Sequence, residues 1–205
     1  MMLCDIGNTS YHFFDGVRGY KKSVKSFNPV SMRERVYYIS VNSHAKKILS
    51  KLENWIDLAP FLDYSKYYPT MGIDRVVACE TIQNGVIIDA GSAITVDVVR
   101  DGLFMGGFIY PGVRAMHECY KNISNALDYP FNYECDLDIM PKNSQDAISY
   151  GFLKPLYMEV MRHDAEIYLT GGDAPKLHKI FSHAKVDEYL LFRGMQKIVH
   201  RLQNQ

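Results

Sequence analysis

Leu3-Cys4-Asp5-Ile6-Gly7-Asn8-Thr9 and Val86-Ile87-Ile88-Asp89-Ala90-Gly91-Ser92-Ala93 are the two stretches that decide the fold. Each is a short apolar run ending in Asp-x-Gly. Each is followed by a strand-like stretch, Tyr11–Phe14 and then Ile94–Val99. Each stretch then meets an Asp-Gly pair, Asp15-Gly16 and Asp101-Gly102. Asp-Gly between apolar runs signals a hairpin, because glycine tolerates positive φ. The unit strand, Asp-x-Gly turn, strand, Asp-Gly turn, strand therefore occurs twice. A repeat of this kind predicts two similar halves, residues 1–84 and 85–205.

The intervening chain reads as α/β. Arg35–Val41 is a buried-strand candidate, and Ser43 fits the cap of a helix from about His44 to Trp55. Asp74–Gln83 reads as helix. Pro111 fits the first position of a helix reaching about Leu127. Ser144 to about His163 is a further helix, which Gly151 and Pro155 are expected to kink or break. Glu166–Leu169 reads as a strand entering Thr170-Gly171-Gly172. Tyr189–Phe192 reads as the last strand, and Gln196–Leu202 as a closing helix.

Composition narrows the function. The chain has 205 residues, 47% of them hydrophobic, which is enough for a real core. Lys plus Arg number 23 and so do Asp plus Glu, so a general nucleic-acid coat is not expected. No apolar run approaches the ~20 residues of a membrane span. Nothing at the start resembles a secretion signal, which points to the cytoplasm. Cys4, Cys79, Cys119 and Cys135 form no CxxC pair, so they read as scattered free thiols.

The two Asp-x-Gly turns carry chemistry as well as topology. A turn of small residues exposes backbone N–H groups that can cradle phosphate oxygens. Asn8, Thr9 and Ser92 add side-chain donors. Asp5 and Asp89, at strand ends, can hold a metal ion or its waters. The same residues are also ordinary turn formers; it is the duplication that favours phosphate binding. Neither GxxxxGK[ST] nor a GxGxxG following a strand is present. Gly72-Ile73-Asp74-Arg75 sets a carboxylate beside a guanidinium at a helix start. The carboxylate can accept a hydroxyl proton and the guanidinium can pair with a substrate carboxylate. A dipole-favoured Asp and a solvated Arg are the plainer alternative. Gly106-Gly107 and Pro111-Gly112 can bring backbone close to a ligand or simply pack tightly.

These residues, taken in order, resemble the type III pantothenate kinases. The series is Asp5-Ile6-Gly7-Asn8-Thr9, Gly72-Ile73-Asp74-Arg75, Asp89 to Asp97, Gly106-Gly107 with Pro111-Gly112, Asn143-Ser144 with Gly151, Thr170-Gly171-Gly172, and Leu190 to Met195. The resemblance implies a duplicated ribonuclease-H-like (actin-like) fold with a nucleotide cleft between the halves. It implies ATP, Mg²⁺, a monovalent cation (K⁺ or NH₄⁺), and a homodimer acting on pantothenate. It implies Asp74 as the general base and Tyr68, Gly72, Ile73, Asp74, Arg75 and Ser144 around pantothenate. It implies Asp5, Ile6, Gly7, Asn8, Thr9, Ser10, Tyr11, His12 and Ser92 around ATP, and Asp89 at the cation. Ser92 and Ser144 stand where the family usually has Thr; both keep the hydroxyl. The segment before Gly72 is about one residue short, which leaves Tyr67 as a competitor for the role given to Tyr68. The rival readings are another small-molecule kinase, a non-catalytic nucleotide-binding regulator, and a two-metal nuclease of the same fold.

Overall fold

A computed structural model describes residues 1–204. The chain divides into two compact units. The first is residues 1–81 with the closing segment from Tyr189, and the second is Ile82–Glu188.

The first unit begins with β1 (Met2–Ile6), β2 (Ser10–Phe14) and β3 (Gly19–Ser23), joined as an antiparallel meander. β4 (Val36–Ser40) lies parallel to β1, and β5 (Trp55–Asp57) lies parallel to β4. The sheet order is β3-β2-β1-β4-β5. The helices are α1 (Ser43–Leu49), α2 (Ile73–Cys79) and, after the whole second unit, α6 (Leu190–Gln203).

The second unit repeats this plan. β6 (Gly85–Ala90), β7 (Ala93–Arg100) and β8 (Leu103–Pro111) form its meander. After α3 (Val113–Ile123) and α4 (Ser144–Met161), β9 (Ile167–Thr170) pairs parallel to β6. α5 (Ala174–Leu177) leads to β10 (Lys185–Val186), parallel to β9. The order β10-β9-β6-β7-β8 is the first sheet's order read from the other edge. The predicted repeat is therefore a repeat of topology: an α/β chain with a duplicated ribonuclease-H-like sheet.

Local chemistry explains the meanders. Asp15 accepts from the N–H groups of Val17 and Arg18 at 2.7 and 2.8 Å, closing the first Asp-Gly turn. Asp101 and Gly102 both have positive φ, 52° and 72°, which matches the twist of the flanking strands. Alternation then sorts side chains. Tyr11 and Phe13 enter an aromatic cluster with Phe27 and Trp55, while Phe14 turns to the other face and stacks on Phe192 at 5.1 Å. In the second unit, Val86, Ile88, Val96 and Val98 meet Phe152, Leu153, Leu156 and Val160 of α4. Fully burying each such side chain contributes about 1.5–3 kcal/mol.

Several elements differ from expectation. Tyr189–Phe192 is not a strand; it is the cap and first turn of α6, whose buried Leu190, Phe192, Met195, Ile198 and Val199 follow helical spacing. Since α6 packs against α2, β1 and β4, this segment goes with the first unit and not with a second half of 85–205. Asn42, not Ser43, caps α1, accepting from the Ala45 N–H at 3.0 Å. α1 stops at Leu49, and Trp55 starts a strand instead of ending a helix. α2 ends at Cys79, short of Gln83. Pro111 ends β8 and pairs with Ala93, so α3 starts only at Val113. α4 runs unbroken through Gly151 and Pro155.

Candidate active site

The β1–β2 turn is closed by the Gly7 N–H donating to the Ser10 carbonyl at 3.0 Å. Asn8 and Thr9 are exposed at its tip, and Asp5, Ser10 and His12 are half-buried. Asp5 pairs across the ladder with His12. Ile6 and Tyr11 point into the core, so only their backbone is available to a ligand. The β6–β7 turn is one residue tighter: the Gly91 N–H donates to the Ala93 carbonyl at 3.0 Å. Ser92 is exposed at that tip. Asp89 occupies the place that Asp5 occupies in the first unit. Each sits one residue before the end of the central strand, beside the parallel partner, Ile39 for Asp5 and Thr170 for Asp89.

Glycines make the second turn possible. A Cβ on Gly112 would lie 2.7 Å from the Gly91 carbonyl oxygen and press on the backbone of Ser92. A Cβ on Gly171 would press on the Asp89 carboxylate, and Gly171 has φ +88°. The Asp173 N–H donates to the Ala90 carbonyl at 2.9 Å, which lays the Gly171-Gly172 loop over the end of β6. The strand-to-helix glycines thus pack against the Asp89 turn and shape it.

Tyr68, Gly72, Ile73, Asp74 and Arg75 come together at the start of α2. Gly72 is the N-cap, and its missing Cβ leaves room for the Asp74 carboxylate folded back over it. Asp74 Oδ1 accepts from the Arg75 N–H at 2.9 Å, and the first helical turn favours its charge. Ile73 is buried and offers only backbone. Arg75 is 5% exposed, and its Nη1 donates to the Tyr68 hydroxyl. A buried guanidinium needs partners of this kind, so the plainer alternative of a solvated Arg is excluded. Tyr67 and Tyr68 face opposite ways. Tyr67 is 8% exposed and donates to Glu80 Oε1 at 3.1 Å, whereas Tyr68 is 40% exposed beside Arg75. Burial, helped by the Glu80 charge, pushes the Tyr67 phenol well above its ordinary pKa. Ser144 lies in the second unit as the first, exposed residue of α4, next to its cap Asn143.

The comparisons with known proteins meet this geometry. Residues 53–163 match the family described as type III pantothenate kinase. A relative of that name from Sulfurimonas denitrificans is 60% identical, over 98% of each chain. The chain belongs to the type III pantothenate kinase family. It phosphorylates pantothenate with ATP, the first step of coenzyme A biosynthesis. A solved structure from Campylobacter jejuni, described as a conserved Baf-family transcriptional activator, is 38% identical over 100% of each chain, with a TM-score of 0.90. A 2-dehydro-3-deoxygalactonokinase structure from Sinorhizobium meliloti is only 9% identical yet has a TM-score of 0.59 over 98% of this chain and 96% of that one. That second likeness speaks for the fold alone.

For a pantothenate kinase the charge distribution is informative. The balanced total hides a segregation: the first unit carries 14 Lys plus Arg against 8 Asp plus Glu, and the second 9 against 15. The basic excess lies with the unit that bears the Asp5–His12 turn. Among the described residues no cluster of three or more His, Cys, Asp or Glu could hold a metal, and no helix is long and apolar enough to cross a membrane.

Proposed function

We propose that Asp74 is the general base of this pantothenate kinase, with Tyr68, the Gly72-Ile73 backbone, Arg75 and Ser144 around pantothenate. The observation that carries the reading is the Asp74–Arg75 start of α2. There, a glycine opens space for a carboxylate, and the adjacent guanidinium is buried against the exposed Tyr68 of the preceding loop. The outward Tyr68 and inward Tyr67 favour Tyr68 as the substrate contact. Asp74 takes the proton of the primary hydroxyl as that oxygen forms its bond to the γ-phosphorus. The bond to the bridging β–γ oxygen breaks, and the electron pair leaves on ADP. Such a transfer asks the protein for positioning and charge neutralisation above all.

The backbone N–H groups and side chains from Asp5 to His12, with Ser92, would hold the phosphates. Mg²⁺ suits a site of this composition, because it is commonly held by one or two carboxylates plus substrate phosphates and needs no protein cage. Asp5 fits that role. Asp89, its equivalent in the second unit, fits the monovalent cation, K⁺ or NH₄⁺. Bound cations neutralise charge developing on the phosphates. The enzyme would act as a homodimer in the cytoplasm.

Coupled ATP turnover tests the reading, with and without pantothenate, in potassium and in sodium. ADP and phosphopantothenate should form together, faster in potassium. Equal rates in the two salts would overturn the cation assignment, and a monomer in sedimentation would overturn the dimer.

A further inference from the structure

We propose that Glu80 is a positioning residue: through the Tyr67 hydroxyl it straps the loop before α2 to the far end of that helix, and thereby holds Tyr68 on Arg75. The inference rests on the assignment of Tyr68 and Arg75 to the pantothenate site.

The loop between β5 and α2 has little regular structure of its own. It contains two single 3₁₀ turns, Ala59–Phe61 and Tyr64–Lys66, held by the local side chains of Asp57 and Asp63. Phe61 and Tyr64 are exposed, while Leu58, Leu62, Tyr67 and Met71 are the loop's buried anchors. The backbone of Tyr67 is extended, φ −129° and ψ 160°, so it and Tyr68 point to opposite sides. Fixing the inward ring therefore fixes the direction of the outward one.

Glu80 receives that ring. Its Oε1 accepts from the Tyr67 hydroxyl at 3.1 Å and its Oε2 accepts from Arg201 Nη2 at 3.4 Å, with the carboxylate side chain only 13% exposed. Burial and the Glu80 charge keep the Tyr67 phenol protonated, so it remains a donor. α6 fastens the same end of α2 again, where Lys197 Nζ donates to the Thr81 carbonyl at 2.7 Å. The loop is thus tied to both ends of one helix: Tyr67 to Glu80 at the C-terminal end and Tyr68 to Arg75 in the first turn.

Steady-state kinetics with both substrates varied provide the test, with thermal melts in parallel. Glu80→Ala and Tyr67→Phe should each raise the pantothenate KM about three- to tenfold, the scale of part of one charge-assisted hydrogen bond. The ATP KM should stay within about twofold, a difference too small for a lost hydrogen bond. Glu80→Gln keeps an oxygen for Tyr67 and should restore most of the pantothenate affinity. If Glu80→Ala does not fold, Tyr67→Phe carries the test alone. An unchanged pantothenate KM in Tyr67→Phe, or a parallel rise for both substrates, overturns the strap. Tyr68→Phe separates the two layers. If it leaves the pantothenate KM unchanged, the substrate-site reading fails and the strap fails with it. If it raises KM while Tyr67→Phe does not, only the strap fails.

Discussion

Gly171 lies against Asp89: a β-carbon on the glycine would press on the Asp89 carboxylate and stand 2.6 Å from the Ala90 carbonyl oxygen. Gly171 also has φ +88°, where an L side chain is strained. Both effects point the same way. Gly171→Ala should therefore destabilise the protein by about 2–4 kcal/mol, adding backbone strain to overpacking. It should also raise the potassium concentration needed for half-maximal rate, because the displaced group is the proposed cation ligand. Urea unfolding and a potassium titration on the same preparation check the two parts. A variant as stable as the parent would show that the loop relaxes away from Asp89.

Asp74 makes a backbone hydrogen bond at a helix start, yet its larger role is proposed to be chemical. Asp74→Asn preserves the shape and an acceptor oxygen for the Arg75 N–H. Stability should change by no more than about 1 kcal/mol, the scale of a helix-dipole charge. Turnover should fall by roughly 10²–10⁴, the usual contribution of general base catalysis. Rapid-quench measurement of phosphopantothenate in a single turnover isolates the chemical step. A rate within threefold of the parent would remove Asp74 from the mechanism.

The parts of the fold legible in the sequence were those written in local chemistry. Asp5-x-Gly7 with Asp15-Gly16, and Asp89-x-Gly91 with Asp101-Gly102, each specify their turns within a few residues, and both meanders follow. β5 and β10 are three and two residues long, too short to carry a period, and their existence depends on the parallel neighbours they extend. Tyr189–Phe192 misleads because a compact apolar run suits a strand as well as a helix. Its helical state is settled by packing of Phe192 and Tyr189 on Phe14 at 5.1 and 4.7 Å. The site shows the same division. Gly72 to Arg75 is a contiguous motif, whereas the Tyr67–Glu80 pair is 13 residues apart, with the whole of α2 between them, and has no local signature.

Gly194 is a helix glycine with a packing reason. A β-carbon there would stand 2.6 Å from Thr81 Oγ1 and 2.9 Å from Val77 Cγ1, and would press on the Val77 carbonyl. Two effects oppose each other in Gly194→Ala. Helix propensity favours alanine by about 1 kcal/mol. Overpacking of α6 on α2 costs about 1–3 kcal/mol, and the nearest atom is backbone that cannot swing away. The clash should win, giving a net loss of up to about 2 kcal/mol by the same figures. Because α2 also carries Asp74, the variant should lose turnover as well as stability. A melting temperature above the parent's would mean that the helices separate at little cost.

The buried tyrosines set the alkaline limit. Burial, then the Asp57 charge, pushes the Tyr38 phenol up to about 12, and burial with Asp173 does the same for Tyr133. Tyr67 is raised too, by burial and then Glu80. For each, the folded pKa lies above the ordinary value of 10.0, so the unfolded chain ionises first. Their stabilisation is complete below that ordinary value and is lost as pH rises toward the folded pKa. For Tyr38, fully enclosed beside Trp55, the loss amounts to about 2 kcal/mol across that window. Chemical denaturation should therefore show constant stability up to about pH 10 and a steep fall from there toward pH 12. Phenolate absorbance should rise late for these groups and jump where the protein unfolds. Tyr38→Phe should flatten the fall, since it removes one of the late-titrating groups; an unchanged slope in that variant would assign the alkaline transition to other residues.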